Sequence, residues 1–285
     1  MIQKTNCNLC GSPALRILYR LSDFNLLKCD ACGLVCREML LEKKETVELY
    51  SETYFTKEQH DYFFDKTEEK EATCARRLEA IAQMCPHKGH LLDIGCAIGT
   101  FPRIAKSGGW EAKGVEVSVF ASAYAREKYG LDVRTGELEE QTFPKESFDV
   151  VTLWDVIDHI ERPQEFLSRI HTLLKPGGLL VQQTTMEDSL LYRIAHYLYV
   201  LSFGFVRFPV ARCHPMHHST FYSSKTLQKA FDKAVFKIIR KQPDDLNPEL
   251  INTVPTMRML LKIISFFASL IGRPLEYTFY AQKTG

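Results

Sequence analysis

What this chain lacks narrows the field before any motif is read. No apolar run approaches the roughly 20 residues that carry a helix across a bilayer. The start, Met1-Ile-Gln-Lys-Thr-Asn6, has no apolar core of the kind that opens an export signal. Internal repeats and low-complexity linkers are missing as well. So is excess charge: 36 Lys and Arg against 35 Asp and Glu leave a formal +1 at pH 7, and bulk charge implies no polyanionic partner. Nine cysteines without an export signal point to reduced thiols and metal rather than disulfides. A cytoplasmic protein is the expectation, and its 285 residues suffice for one full α/β domain with a small appendage.

Four of the cysteines stand in order. Cys7-Asn-Leu-Cys10-Gly11 and Cys29-Asp-Ala-Cys32-Gly33 form C-x2-C-x18-C-x2-C, the spacing of a four-thiolate zinc site. A glycine after each pair permits the positive-φ turn that points two thiolates at one ion. Four thiolates leave no open position for water, so the expected Zn2+ is structural, held by a zinc ribbon over residues 1–40 with a strand at 14–19. Buried thiols without metal are the alternative. Cys36, Cys74, Cys85, Cys96 and Cys213 have no such partners and read as small apolar fillers.

The densest chemistry lies at His90-Leu-Leu-Asp-Ile-Gly-Cys-Ala-Ile-Gly-Thr-Phe101, followed by Gly114-Val-Glu-Val117. An apolar run ends in Asp93, turns through Gly95, Cys96, Ala97 and Gly99, and enters a helix. Glycine lets backbone approach a ligand that a Cβ would obstruct. Glu116 falls 17 residues past Gly99, beside Val117 and at the end of the next apolar run, placed to accept from a ribose diol. A nicotinamide site would want G-x-G-x-x-G and a phosphate on the helix N-terminus. Here a carboxylate guards the loop instead, which repels pyrophosphate and suits an ammonium group. Asp93 with Glu116 therefore suits S-adenosyl-L-methionine (SAM), a cation with a diol and no phosphate. A glycine-containing turn with no ligand is the alternative.

These motifs resemble those of class I SAM-dependent methyltransferases. Leu91 to Phe101 is similar to the family's first motif and Gly114 to Ser118 to the next. Phe148-Asp-Val-Val-Thr-Leu-Trp-Asp-Val-Ile-Asp-His-Ile160 resembles its fourth strand and following loop, and Leu173-Leu-Lys-Pro-Gly-Gly-Leu-Leu-Val181 the turn into its fifth. Ala97 stands where the family usually has glycine. The resemblance, covering about residues 70–185, implies that Glu137 and Leu138 contact adenine and that Trp154 and Asp155 border the methionine end. Glu137 as an exposed acid, Trp154 as core, and His159 as a loop cap are the plainer readings.

Around these motifs apolar runs alternate: strands near 90–94, 111–117, 131–135, 148–154 and 178–184, helices near 67–84, 100–107, 118–129 and 163–174. Alternation demands crossovers and a parallel sheet covered on both faces. The fold class is α/β, a doubly wound, mostly parallel seven-stranded sheet; by family resemblance its last strand, 275–281, is antiparallel and inserted beside its neighbour. A charged, aromatic segment at 41–85 is read as linker or lid, and 86–285 as the methyltransferase domain.

Apolar insertions are expected at 186–222 and 256–272. They are too short to span a bilayer, and edged by Arg193, Arg207, Arg212, Arg258, Lys262 and Arg273 they read as peripheral membrane contacts, a cap, or a homodimer surface. His217-His-Ser-Thr-Phe-Tyr-Ser-Ser-Lys-Thr-Leu227 resembles the histidine stretch of zinc-ribbon-bearing C- and O-methyltransferases acting on sugars and natural products. That likeness implies His218 as a base, with His159 a second catalytic candidate; zinc ligation or plain solvation of the His214–His218 cluster are alternatives. The acceptor expected is a small molecule: a sugar, nucleotide-sugar or lipid-linked glycan intermediate. Methylation of an rRNA or tRNA base, or a silent SAM-binding regulator, are the competing readings. No Arg/Lys-rich ribbon supports a nucleic-acid partner.

Overall fold

The computed structural model describes residues 2–40, 43–65, 67–244 and 255–285. Residues 41, 42 and 66 of the linker segment lie outside the described residues. The N-terminal part contains β1 (Ile2–Gln3), β2 (Leu15–Arg20), β3 (Asn25–Cys29), β4 (Val35–Arg37) and β5 (Met39–Leu40). Then follow α1 (Lys43–Leu49), two π-helical turns at Tyr54–Glu58 and Asp61–Asp65, and α2 (Thr67–Met84).

From residue 90 strands and helices alternate as expected: β6 (His90–Ile94), α3 (Thr100–Ser107), β7 (Glu111–Glu116), α4 (Val119–Tyr129), β8 (Asp132–Thr135), β9 (Phe148–Trp154), α5 (Pro163–Leu173) and β10 (Leu174–Thr185). The helix limits have local causes. Ser118 caps α4 by accepting from Ala121 N, and Gly130 closes it at φ 59°. Pro163 opens α5, where a missing N–H costs nothing. The fifth strand begins earlier than its apolar run because Gly177, at φ 73°, sits in an irregularity between Leu174 and Leu179 that lets the chain pair on both sides of it.

After β10 come α6 (Leu190–Leu201), α7 (Phe208–Cys213), β11 (Thr220–Phe221), α8 (Ser224–Lys233), β12 (Phe236–Asp244), α9 (Pro255–Leu270) and β13 (Glu276–Lys283). The main sheet has the order β12-β13-β10-β9-β6-β7-β8. Its five neighbours from β10 to β8 are parallel, and β13 is antiparallel to both β10 and β12. β12 runs on through Arg240-Lys-Gln-Pro243, beyond the apolar run that marks it in the sequence. It is an edge strand, so polar side chains and a proline are tolerated there.

Alternate residues of each central strand face opposite cores. Leu92, Val151 and Leu180 pack with Phe166, Ile170, Leu227 and Phe231 of α5 and α8; Leu91, Val150 and Val181 pack with Leu78, Ile81, Phe101 and Ala105 of α2 and α3. The cysteine-bearing segment joins the first of these cores through Cys7, Leu9, Cys29 and Leu34. Its own sheet, β11-β4-β3-β2, takes its last strand from residue 220 onward, with Cys36 opposite Thr220 and Val35 opposite Phe221.

Candidate functional site

Parallel strands place their carboxyl ends on one edge, and the residues singled out by spacing arrive there. Asp93 and Glu116 lie in β6 and β7, Trp154 ends β9, and Glu137 follows β8. Between β6 and α3 the chain turns tightly. Gly95 (φ 70°) and Gly99 (φ 88°) are left-handed, and a Cβ would come within 2.6 Å of Val156 at the first and 2.7 Å of Leu131 at the second. Ala97 adopts φ 49° without being glycine. The N–H groups of Gly95 and Cys96 both donate to Val115 O, which ties the loop to β7. The Cys96 thiol is buried against Gly114, so this residue contributes backbone to the loop.

The two carboxylates are prepared differently. Glu116 is buried, and its oxygens accept from Ala97 N and Ser118 N, both at 2.8 Å. Burial raises its pKa against the pull of those amides. Asp93 accepts from Thr152 Oγ1 at 2.7 Å through one oxygen, while its second oxygen is buried without a partner. Burial pushes Asp93 up to about 8, with Glu116 adding to the rise. A buried acceptor lacking a donor is costly, and this one lies at the mouth of a loop that has no room for a Cβ. A cationic ligand group would supply the donor. These residues fit SAM.

Val117 is half-buried beside Glu116. Glu137 is half-buried too, its N–H donating to Glu140 at 3.1 Å, while Leu138 is buried in the main core. The Trp154 ring lies edge-on to Phe101 at 4.9 Å, with the Arg77 guanidinium 4.4 Å over its face. Asp155 is exposed at φ 59°, its N–H donating to Gln183 O. Aspartate tolerates the left-handed region better than most residues.

The catalytic candidates come together from 59 residues apart. His159 and His218 meet edge-to-face with ring centres 4.5 Å apart, and His217 stacks on His159 at 5.5 Å. His218 Nδ1 has no hydrogen-bond partner and lies 3.9 Å from the buried Asp158 carboxylate. Burial and the neighbouring imidazoles hold His218 well below the usual histidine value; burial first, then His159, brings His217 to about 4. All are neutral at neutral pH. His214 is different: its Nδ1 meets Val210 O and its ring packs against Tyr192 and Phe221, a core position. One ligand-type atom each from Asp155, His159 and His218 lies within 4.8 Å of the others, a group able to hold a cation.

Sequence reasoning placed Tyr50 only among the rings of the linker or lid segment; its hydroxyl is 2.8 Å from His159 Nδ1. Around it the aromatic segment sits on the glycine loop: Phe55 and Phe63 pack with Ala97, Ile98, Phe120 and Ala121. The density of rings at residues 50–64 was the only available signal. Buried Glu276 was also passed over; it accepts from Gln183 at 2.9 Å and is driven up to about 8 by burial, then by Asp155.

The four ribbon thiols converge. Sγ of Cys7 lies 3.5 Å from that of Cys32, Cys10 Sγ lies 3.6 Å from Cys29, and all four fall within 4.8 Å of one another. A zinc tetrahedron with bonds of roughly 2.3 Å has edges of roughly 3.8 Å. Gly11 (φ 74°) and Gly33 (φ 91°) turn each knuckle, and their N–H groups donate to Cys7 O and Cys29 O. The set fits a structural ion.

Residues 66–241 match the family model described as a methyltransferase domain. A ubiquinone biosynthesis O-methyltransferase of Coxiella burnetii is 28% identical over 134 residues, which are 44% of this chain and 57% of that protein. The chain thus spans little more than half the length of that relative. Among solved structures, a SAM-dependent methyltransferase of Thermotoga maritima, described as a possible histamine N-methyltransferase, superposes with a TM-score of 0.56 at 19% identity, covering 84% of this chain and all of the other. A phosphoethanolamine N-methyltransferase of Haemonchus contortus, solved with S-adenosylhomocysteine, gives 0.52 at 18% identity, covering 88% of this chain and 62% of the other. At those identities the likeness is one of fold.

Proposed function

This chain belongs to the class I SAM-dependent methyltransferases, and we propose that it methylates an oxygen or carbon of a small molecule. A sugar, nucleotide-sugar or lipid-linked glycan intermediate is the acceptor class. The observation that carries this reading is the pairing of His159 with His218, both neutral, together with a buried Asp93 oxygen in β6 that lacks a donor. Similarity to an O-methyltransferase supports oxygen as the acceptor atom.

When bound, SAM supplies an electrophilic methyl group on a sulfonium, so the protein's own work is alignment and proton removal. Asp93 accepts from the ammonium end, and Glu116, oriented by two amides, accepts from the ribose diol. Trp154 and Asp155 border the methionine end; Glu137 and Leu138 serve the adenine end. His218 is the base. As a neutral imidazole it accepts the acceptor's proton; Asp158, 3.9 Å away, is held well above the usual carboxylate range by burial and by Asp155, so it stands beside the imidazole as an uncharged carboxyl. His159, held by Tyr50 and by His217 O, positions it. A structural zinc on Cys7, Cys10, Cys29 and Cys32 holds the ribbon.

A labelled-methyl transfer screen across catechols, free sugars, sugar nucleotides and lipid-linked saccharides tests the acceptor class. On the acceptor found, His218→Ala should retain S-adenosylhomocysteine binding and lower turnover about 100-fold or more. An unchanged rate at saturating substrate removes His218 from proton transfer. Transfer to RNA alone would replace the small-molecule reading, and cofactor binding with no transfer to any acceptor would leave a SAM-binding regulator.

A further inference from the structure

The two insertions meet in space and leave one face uncovered. Helices α6 and α9 touch, and their ends are fastened at the carboxyl edge of the sheet: Met186 N donates to Leu275 O, Leu190 N to Arg273 O, and Arg273 to Asp188 O at 3.2 Å. The inner side of α6 rests on the ribbon through Tyr192 and Ala195, packed with Tyr19, Leu21 and Leu26. Its outer side, the turn into α7, and nearly all of α9 face solvent. Of the residues in α9 only Ala268 is buried, while Phe266 and Phe267 stand out. At the tip of the α6–α7 turn Phe203 and Phe205 are 93% and 89% exposed. Single exposed apolar residues are ordinary, but a continuous apolar face over two neighbouring helices marks an interaction surface.

Charge identifies what covers it. From Ser189 to Phe231, and again from Pro255 to Leu275, the sequence contains no Asp or Glu. Cations on and beside these elements include Arg193, Arg207 and Arg212. A second copy of this chain across a two-fold axis would set the arginines of α6 and the α6–α7 turn, a stretch with no Asp or Glu of its own, against themselves. An anionic bilayer surface meets both demands at once, taking aromatic side chains below the headgroups and lying beside the arginines. No helix among the described residues is long and apolar enough to cross a membrane, so contact is by lying in the interface.

We propose that the face formed by α6, the α6–α7 turn and α9 docks the enzyme on an anionic lipid bilayer. Both helices spring from the sheet edge that carries Asp155 and Trp154, so docking sets the catalytic edge beside the lipid headgroups. The docking stands whatever the acceptor is.

Flotation of the full chain with phosphatidylcholine vesicles, with and without phosphatidylglycerol, tests it. The protein should float with phosphatidylglycerol vesicles at low salt, at least about tenfold less with phosphatidylcholine alone, and should detach as salt rises. Phe203→Glu/Phe205→Glu should reduce flotation at least about tenfold. S-adenosylhomocysteine binding by calorimetry, measured on the same preparations, reports folding and tests the methyltransferase reading separately. Cofactor-competent wild-type protein that does not float overturns the proposal, as does flotation indifferent to the double variant. A dimer in light scattering that Phe266→Glu/Phe267→Glu dissociates, without vesicle binding, overturns it in favour of a second copy.

Discussion

Asp93 is buried with one oxygen unmatched, and its protonation follows from that. The folded, ligand-free protein holds the carboxyl at about 8, against roughly 3.9 when unfolded. Its contribution to stability is therefore full below the unfolded value and is lost as pH rises through about 8. A cationic ligand needs the ionised form. Affinity for S-adenosylhomocysteine should then rise between about pH 6 and pH 8, and Asp93→Asn should flatten the profile; isothermal calorimetry at several pH values reads both. A flat wild-type profile would mean that Asp93 does not meet the ammonium. Ala97 offers a second test, because alanine at φ 49° carries a left-handed cost that glycine does not. Ala97→Gly should raise the urea midpoint, by up to about 1 kcal/mol of stability, and a lowered midpoint would show the loop unstrained. That Asp93, Gly95, Gly99 and Glu116 gather at the carboxyl ends of β6 and β7 was legible in residue type and spacing. Thr152, which holds Asp93, and Tyr50, which holds His159, were not: these bonds span 59 and 109 residues of chain and leave no periodic trace.

Elements with a strong period were read almost to the residue. The helix expected at 67–84 is α2, and the strand at 148–154 is β9. Those whose limits depend on partners were not, as β10 shows: expected at 178–184, it starts at Leu174 because it already pairs there with Phe148 of β9. The cysteine knuckles are a different kind of local unit, four thiols within 4.8 Å of one another that fit a structural ion and also pack into the main core. One zinc per chain is expected by elemental analysis, and Cys10→Ser should lose it and loosen the N-terminal strands first, seen as faster amide exchange at Leu15–Cys29. A metal-free preparation with those amides still protected would show that packing alone holds the ribbon.

At the scale of the molecule, the ribbon and the histidine segment are one structure. β4 pairs with β11, buried Arg37 donates from its backbone to Ser219 O at 3.0 Å, and Lys4 Nζ reaches the same carbonyl at 3.3 Å. Arg37 and Lys4 also share Glu161. His218 is the residue before Ser219, so the pairing of the ribbon with this segment fixes the position of the proposed base. Chelation should accordingly lower turnover while S-adenosylhomocysteine binding persists, and activity untouched after complete zinc removal would uncouple the two. The fold class was legible because alternation names it; this pairing was not, since two short strands far apart in sequence carry no signal for each other. It also sets an order of events in the cell. During synthesis the outer edge of β4 has no neighbour until Phe221 has left the ribosome, which at roughly 5–20 residues per second is an interval of roughly ten to forty seconds. Throughout that interval the nascent N-terminal sheet presents an open edge, free to pair with another chain until its last strand arrives.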